Sequence, residues 1–433
     1  MEVTKFKFKD YHFLVVTVLS VVALVALWQG CFGVAFWTSD SLQYLRCAEN
    51  LKAVVCGESW GGEWFATWPI GYPIAIAVVS ACTGLDAFVA SKILGVLATG
   101  GLLFAFYRYF RSLFPVLALS LLNLAYLKTV RGTQSEQLFF PLIVLMMCVS
   151  RRILPLCILF VGLFLVRYVG LFAPIWLMVG MAVSCERDKS TWRNVSVAAC
   201  LAWGVEGAYM AVNKLGCGSF TGMARDTLRT GFSEFIGDVC AAEFHELQAY
   251  GLLVFWAVIL LVMCGGGRAE KSEDLSPRRR QYGDWRSWVG AGAAYHLTMI
   301  MMRYAGSCSQ LGYRFLYPGT LLIVIGLCVR FGDLLRLRKV NLGWVRSLAL
   351  ACIVFLVGLN LLDAELEVRR LLGMSLYGKG RAYLEIKKEL LEKYGNVKSG
   401  ELMHLKGLCD EDLPIIYLRP DLRFDFPVGA RKY

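Results

Sequence analysis

The sequence predicts an all-α membrane protein that crosses the bilayer many times, and three observations carry that prediction. Hydrophobic residues make up 57% of the 433 residues and charged residues 18%, below the quarter that soluble domains usually have. The mean hydropathy is +0.55. The apolar residues fall into long blocks, as the hydrocarbon core of a bilayer requires. Soluble, fibrous, disordered and disulfide-scaffold proteins are therefore excluded.

The chain begins with a basic segment, followed by an apolar run from Phe13 to about Phe36. A signal peptide has the same polarity, but its apolar core is shorter and no clear A-x-A cleavage site follows this run. We therefore interpret the run as a retained first membrane span, with the N-terminus on the cytoplasmic side.

Eleven apolar blocks are candidates for membrane spans. Several contain only about 15 residues where about 20 are needed for a full crossing, so the predicted number is about 11, within a range of about 10 to 13. The blocks lie at about 13–36, 84–106, 113–127, 136–150, 153–166, 168–184, 194–213, 249–264, 288–302, 311–329 and 347–362.

The connections between these blocks differ in their basic residues. Alternate connections that include the N-terminus hold 21 Lys and Arg, and the opposite set holds 10 when Arg314, near the start of the block at 311–329, is counted with it. Because cytoplasmic connections are the basic ones, the N-terminus is predicted inside. The same bias explains much of the net charge of +12, and no helix-turn-helix or zinc-finger pattern supports nucleic-acid binding.

The predicted span number divides the chain into a transmembrane domain, residues 1–363, and an extracytoplasmic tail, residues 364–433. The tail begins with a helical pattern of apolar residues and ends in IIYLRPDLRFDFP, which is typical of a strand and a turn. A small α/β tail is therefore expected on the outer side.

The 15 cysteines show no CxxC or Cys/His ligand spacing. Most lie in apolar runs, where cysteine behaves as a small hydrophobic residue. Two pairs fall in predicted external loops, Cys47 with Cys56 and Cys217 with Cys240. The spacing alone does not decide whether either pair is oxidised.

The first external loop, residues 37–83, opens with TSDSLQYLRCAENL directly after the first span. This segment is compatible with a helix, and Asp40 falls near its N-terminus. Such a position suits a helix cap or a dipole partner. It also places a carboxylate at the external membrane boundary, so both a structural and a chemical role stay open.

The same loop ends in SWGGEWFATWPIGYPIAIA. Its tryptophans fit a belt at the level of the lipid headgroups. Pro69, Gly71 and Pro73 predict an irregular, rigid re-entry into the membrane, which is tolerated where backbone lines a protein cavity. We therefore expect a cavity at the outer leaflet, and the candidate residues lining it are Glu49, Glu63, Trp68, Tyr72 and Glu136.

Basic residues recur at predicted membrane boundaries on the external side. Singly, each fits an interfacial charge whose stem lies along apolar groups. Together they form a candidate site for an anionic lipid headgroup, because the planar guanidinium donates two hydrogen bonds to a phosphate. The five residues are Lys128, Arg131, Arg167, Arg303 and Arg314.

Glu206 is an acidic residue within the predicted span at 194–213. Ionisable residues at membrane depth are costly and usually have a partner or a function. A buried hydrogen-bonding role and a role in proton relay both stay open for Glu206.

The segments TSDSLQYLRCAENL, WPIGYPIAI, RGTQSEQLFF, LVRYVGLF and RFLYP follow one another in an order and spacing that resembles the GT-C-fold integral membrane glycosyltransferases. The resemblance is to the protein-mannosyltransferase-like and aminoarabinose-transferase-like group, and it covers roughly residues 1–330. The family's catalytic acid in the first external loop would be Asp40. The family often has a second acid next and a basic residue before the re-entry, where this chain has Ser41 and Trp68.

The resemblance implies transfer of a sugar from a polyprenyl-phosphate donor to an acceptor hydroxyl at the outer face of the plasma (inner) membrane. Asp40 would be the base and the basic residues would hold the donor phosphate. The acceptor would be a lipid-linked glycan, a polysaccharide or a protein. No cofactor is required, and a divalent metal stays open. A polysaccharide polymerase, a lipid-linked glycan flippase or a transporter are the alternatives, although no internal repeat typical of many transporters is found.

Overall fold

The computed structural model describes residues 39–57, 67–110, 132–149, 152–186, 188–221, 284–305 and 313–337, with short pieces between 113 and 130 and between 232 and 237. Within these residues all regular structure is helical. The predicted spans at 13–36, 249–264 and 347–362, most of the span at 113–127, and the tail at 364–433 lie outside the described residues. The span number and the α/β tail therefore stay predictions.

Nine α-helices and one 3₁₀ helix have bounds within the described part of the chain. In order they are α1 Ser39–Val55, α2 Gly71–Thr83, α3 Ala87–Tyr109, α4 Glu136–Cys148, α5 Ile153–Val166, the 3₁₀ helix Tyr168–Phe172, α6 Ala173–Val183, α7 Lys189–Cys217, α8 Trp285–Tyr304 and α9 Tyr313–Leu337.

The helices from α3 onward coincide with seven of the predicted blocks. By length and apolar composition, α3 and α7 are each able to cross a membrane, and α2, α4 and α5 are shorter apolar helices. The 3₁₀ helix and α6 together fill the predicted block at 168–184. A helical membrane fold is thus supported, with each described block close to its predicted place.

Aspartate side chains start three of these helices. The Asp86 carboxylate accepts from the Val89 backbone N–H at 2.9 Å, before α3. Asp188 before α7 and Asp284 before α8 accept from backbone N–H groups in the same way. Each satisfies an amide that the helix itself leaves unpaired.

The expected irregular re-entry at the end of the first loop is wrong for residues 71–83, which form α2. Pro73 lies in the first turn of this helix, where a missing N–H breaks no helical hydrogen bond. Among the described residues just before this helix, the chain at 67–70 is irregular. The Gly71 backbone packs so closely on the Leu165 carbonyl that a side chain would collide there, which fixes the turn against the end of α5.

Glycines allow α6, α8 and α9 to pack closely. A side chain at Gly180 of α6 would collide with the Ser287 carbonyl of α8, and one at Gly292 of α8 would collide with the Gly319 carbonyl of α9. Small residues at such crossings are typical of helix pairs in membranes. The close contacts hold the N-terminal half of α8 against α6 and α9.

Aromatic side chains fill the core between α6 and α8. The rings of Trp176 and Tyr295 lie edge to face with centroids 4.7 Å apart, and both side chains are fully buried. The Trp176 indole donates to the Thr298 hydroxyl at 2.9 Å, so its polar edge is satisfied. This core supports the charged residues described next.

Candidate active site

Four helix ends meet at one end of the described bundle, and each brings one charged residue. Asp40 lies in the first turn of α1 and Glu136 in the first turn of α4. Arg167 directly follows α5, and Arg314 is the second residue of α9. All four were predicted on the external side. The fold brings them together from positions up to 274 residues apart.

Glu136 and Arg167 form a direct ion pair inside this site. Their side chains are 5% and 12% exposed, respectively. The acid at the start of α4 is also favoured by the helix dipole. Because the Arg167 guanidinium is already neutralised by a buried carboxylate, it has less charge to offer a ligand than its sequence position predicted.

Asp40 and Arg314 form a second, more open pair. The Arg314 Nη2 atom lies 3.4 Å from the Asp40 Oδ2 atom, and the two side chains are 24% and 21% exposed. Charged hydrogen bonds of this kind are usually about 2.7–2.9 Å long. This contact is longer than that, and both side chains are partly accessible to a ligand.

Phe315 connects the two pairs. The guanidinium carbon of Arg314 lies 4.7 Å from the centroid of the Phe315 ring, and that of Arg167 lies 5.3 Å from the same centroid. Both distances are within the range of cation–π attraction. The ring therefore holds two positive charges near each other at the mouth of one site.

Aromatic residues anchor α1 beside this charged group. The Tyr44 ring lies edge-on to the Tyr72 ring at 5.1 Å, and 6.2 Å from the half-buried Trp68 ring. The Tyr44 hydroxyl donates to the Ser135 hydroxyl at 3.2 Å. Burial raises the pKa of Tyr44 above its ordinary value, and the charge of Glu136 raises it further. Tyr44 is therefore a neutral hydrogen-bond donor.

The other predicted site residues have different positions. Arg303 is 5% exposed in the last turn of α8, at the predicted external end of that helix. Glu49 is exposed on α1. Glu63, Lys128 and Arg131 lie outside the described residues.

The sequence did not single out Tyr44, Ser135 or Phe315. Each is adjacent to, or one helical turn from, a predicted residue: Tyr44 follows Asp40 by four positions, and Phe315 follows Arg314. Since residues four apart share a helix face, the position of Tyr44 on the same face as Asp40 could have been predicted from the sequence.

Several buried polar atoms near the site lack a hydrogen bond within the described part of the chain. They are the Gln43 side-chain carbonyl, the Tyr72 hydroxyl and the Gln134 side-chain carbonyl. Gln43 lies one turn after Asp40 on α1. Buried polar atoms are nearly always satisfied in folded proteins. This group is therefore compatible with a site that is completed by water or by a polar ligand.

Glu206 of α7 is fully buried. Neither carboxylate oxygen has a hydrogen-bond partner among the described residues. The described residues therefore do not support the predicted hydrogen-bonding role of Glu206. Its predicted role in proton relay stays a prediction.

Cys47 in α1 and Cys56 directly after it are free thiols in the structure, with Cys47 buried and Cys56 exposed. They are nine positions apart along the chain, about 13 Å at the rise of a helix, which is too far for a disulfide. Cys217 is also a free thiol, and Cys240 lies outside the described residues. A search of the described residues finds no group of three His, Cys, Asp or Glu that could hold a metal ion.

Chemically, the arrangement provides a partly exposed carboxylate beside a partly exposed guanidinium. Asp40 is able to accept a proton from a hydroxyl group. Arg314 is able to bind a phosphate through two parallel hydrogen bonds. A buried ion pair behind them, Glu136 with Arg167, adds a fixed pair of charges of opposite sign.

Comparison of the sequence with models of protein families and with curated sequences finds no match. Among solved structures the chain is similar to the crystal structure of ArnT from Cupriavidus metallidurans bound to undecaprenyl phosphate. The TM-score is 0.50 at 13% sequence identity, over 82% of this chain and 72% of that chain. The protein therefore shares the GT-C fold of ArnT, as the sequence resemblance predicted.

Proposed function

We propose that the protein is a membrane glycosyltransferase that moves a sugar from a polyprenyl-phosphate donor to an acceptor hydroxyl at the outer face of the plasma membrane. The observation that carries this proposal is the accessible carboxylate of Asp40 paired with Arg314 at one end of the bundle. The shared fold supports it, because the similar ArnT structure was solved with undecaprenyl phosphate bound.

Asp40 acts as the general base in this proposal. It takes the proton of the acceptor hydroxyl while that oxygen bonds to the anomeric carbon of the sugar. The bond between the anomeric carbon and the phosphate oxygen breaks, and its electron pair leaves with the polyprenyl phosphate. With 21% of its side chain exposed, Asp40 is accessible to an acceptor.

Arg314 is the first candidate for holding the departing phosphate. Its side chain is more exposed than that of Arg167, at 24% against 12%. Arg167 beside it and Arg303 in the last turn of α8 are further candidates, and Lys128 and Arg131 stay candidates from their sequence position. Positive groups aimed at the leaving oxygen stabilise the charge that develops there.

The half-buried Trp68 ring, backed by the buried rings of Tyr44 and Tyr72, is the proposed contact for the sugar. A sugar ring presents both apolar faces and hydroxyl groups, and this region combines aromatic rings with the Tyr72 hydroxyl, which has no hydrogen-bond partner among the described residues. Glu136, Glu49 and Glu63 stay predicted lining residues. The mechanism needs no cofactor, and a divalent metal stays open.

A transfer assay tests the proposed function. The purified protein, in detergent or nanodiscs, is mixed with a panel of polyprenyl-phosphate sugars and with lipid-linked glycan, polysaccharide and protein acceptors. We expect release of polyprenyl phosphate together with one glycosylated product. Movement of an intact lipid-linked sugar across sealed vesicles, with the phosphate–sugar bond unbroken, would instead identify a flippase or transporter.

A further inference from the structure

Residues 67–70 form the irregular segment that carries Trp68, and a hydrogen bond ties this segment to α7. The Ile70 backbone N–H donates to the Tyr209 hydroxyl at 3.3 Å, across 139 residues of the chain. Ile70 directly precedes α2, so its N–H has no partner within that helix. Tyr209 therefore satisfies a backbone donor at the point where the irregular segment becomes helical.

Tyr209 is itself held by neighbouring side chains. The Asn213 amide donates to the Tyr168 hydroxyl at 3.1 Å, and both of these side chains also form hydrogen bonds with the Tyr209 hydroxyl. The Tyr209 ring lies edge-on to the Phe164 ring, with the centroids 5.6 Å apart. Asn213 is fully buried, so its hydrogen bonds are shielded from water. The acceptor of the Ile70 N–H therefore has a defined position.

Two packing contacts also support the segment that carries Trp68. The Trp68 ring lies 6.2 Å from the Tyr44 ring of α1. Gly71, which follows the segment, packs so closely on the Leu165 carbonyl that a side chain would collide there. The segment is therefore held by α1, by the end of α5 and by α7. Loss of the Tyr209 oxygen removes the contact with α7 and leaves the two packing contacts in place.

We propose that Tyr209 is a positioning residue for donor recognition: by accepting the Ile70 N–H, it keeps the Trp68 ring in the place where the sugar of the donor binds. This inference rests on the proposed function, in which Trp68 contacts the sugar. A side chain that is held in its binding position before the ligand arrives loses less conformational entropy on binding. Tyr209 therefore acts on the sugar through Ile70 and Trp68, and not on the phosphate.

Binding of two probes without an acceptor tests this role: polyprenyl monophosphate, and the polyprenyl-phosphate sugar that is active in the transfer assay. Tyr209→Phe removes the acceptor of the Ile70 N–H and keeps the ring. The affinity for the sugar-bearing probe should fall about fivefold, the scale of one hydrogen bond, and that for polyprenyl monophosphate should stay within about twofold of wild type. In transfer, the donor KM should rise while kcat is nearly unchanged.

Two further variants test whether the effect passes through Ile70 and Trp68. In a Trp68→Ala background, Tyr209→Phe should change the affinity for the sugar-bearing probe by less than about twofold, because no ring is left to position. Ile70→Pro removes the same hydrogen bond from the donor side, and the Ile70 φ of −76° is one that proline adopts. Ile70→Pro should reproduce the loss, and it replaces Tyr209→Phe if that variant does not fold.

Trp203→Phe is the matched control on the same helix. It removes one hydrogen bond from α7 to a backbone group, the Leu171 carbonyl, and both affinities should stay as in the wild type. Equal weakening for both probes, no weakening, the same loss from Trp203→Phe, or the same loss in the Trp68→Ala background would each overturn the role of Tyr209. A wild-type protein that binds no polyprenyl phosphate and transfers no sugar would overturn the proposed function itself.

Discussion

The Tyr44 hydroxyl donates to the Ser135 hydroxyl at 3.2 Å, across 91 residues of the chain. Tyr44 is one turn beyond Asp40 on α1, and Ser135 directly precedes Glu136 at the start of α4. This single bond therefore ties the helix that carries the proposed base to the helix that begins with the buried acid. The geometry of the site depends on that connection.

The first prediction concerns this hydrogen bond. Tyr44→Phe should reduce the free energy of unfolding by about 0.5–1.5 kcal/mol, the usual net value of one hydrogen bond. Ser135→Ala should have a similar effect, and the double variant should be little worse than either single variant, because both remove the same bond. Thermal unfolding in detergent measures all three. Fully additive losses would show that the two residues act independently.

The second prediction concerns the buried pair. Glu136→Gln leaves the Arg167 guanidinium buried without its carboxylate, so the free energy of unfolding should fall by about 3–5 kcal/mol. Replacing both residues, as Glu136→Gln with Arg167→Met, should recover a large part of that loss, since no uncompensated charge remains. If the double variant is as unstable as Glu136→Gln, the pair is not the source of the effect.

The sequence predicted which residues would lie on the same side of the membrane, but not which would pair. Counting apolar blocks put Glu136, Arg167 and Arg314 on one side, because each stands next to a block end. The pairing of Glu136 with Arg167, and of Arg314 with Asp40, depends on how the helices pack. That packing is set by contacts such as Gly180 against α8, which no local pattern specifies.

Two local features also escaped prediction from the sequence. Pro73 was taken to break the chain, but a proline in the first turn is compatible with a helix, and α2 begins there. Phe315 was one apolar residue among many at the start of a predicted span. Its contact with two arginines depends on the tertiary structure, because Arg167 lies at the end of a different helix.

The third prediction concerns the ring shared by the two arginines. Phe315→Leu keeps the apolar character but removes the cation–π contacts with Arg314 and Arg167. The interaction energy that holds the two guanidinium groups in place should fall by about 1–2 kcal/mol. We expect sugar transfer to slow by about tenfold. Phe315→Tyr keeps an aromatic ring and should transfer at close to the wild-type rate. Full activity of the leucine variant would contradict the role of the ring.

The fourth prediction concerns orientation and uses native cysteines. Cys56 follows the C-terminal end of α1 in the predicted external loop, and Cys185 lies between α6 and α7; both are exposed. A membrane-impermeant maleimide applied to intact cells should label Cys56 and spare Cys185 until the membrane is opened. Peptide mass spectrometry reads each position. Labelling of both cysteines in intact cells would contradict the predicted topology.

Cys47 is the internal control in that experiment. Burial raises the pKa of its thiol to about 12, and the reactive form of a cysteine is the thiolate. Because its pKa is raised, the thiolate is scarce at pH 8, so Cys47 should stay unmodified in the folded protein before and after opening. It should react only after unfolding. Rapid labelling of Cys47 in the folded protein would contradict the packing of α1.

Asp40 is the residue on which the proposed chemistry depends, and Asp40→Asn tests it most directly. Asn keeps the size of the side chain at the start of α1 but cannot accept the acceptor proton. Sugar transfer should fall by about a hundredfold or more, the scale of losing a general base, while folding and polyprenyl-phosphate binding are retained. An Asp40→Asn protein that folds, binds polyprenyl phosphate and transfers sugar at the wild-type rate would contradict the assignment of Asp40 as the base.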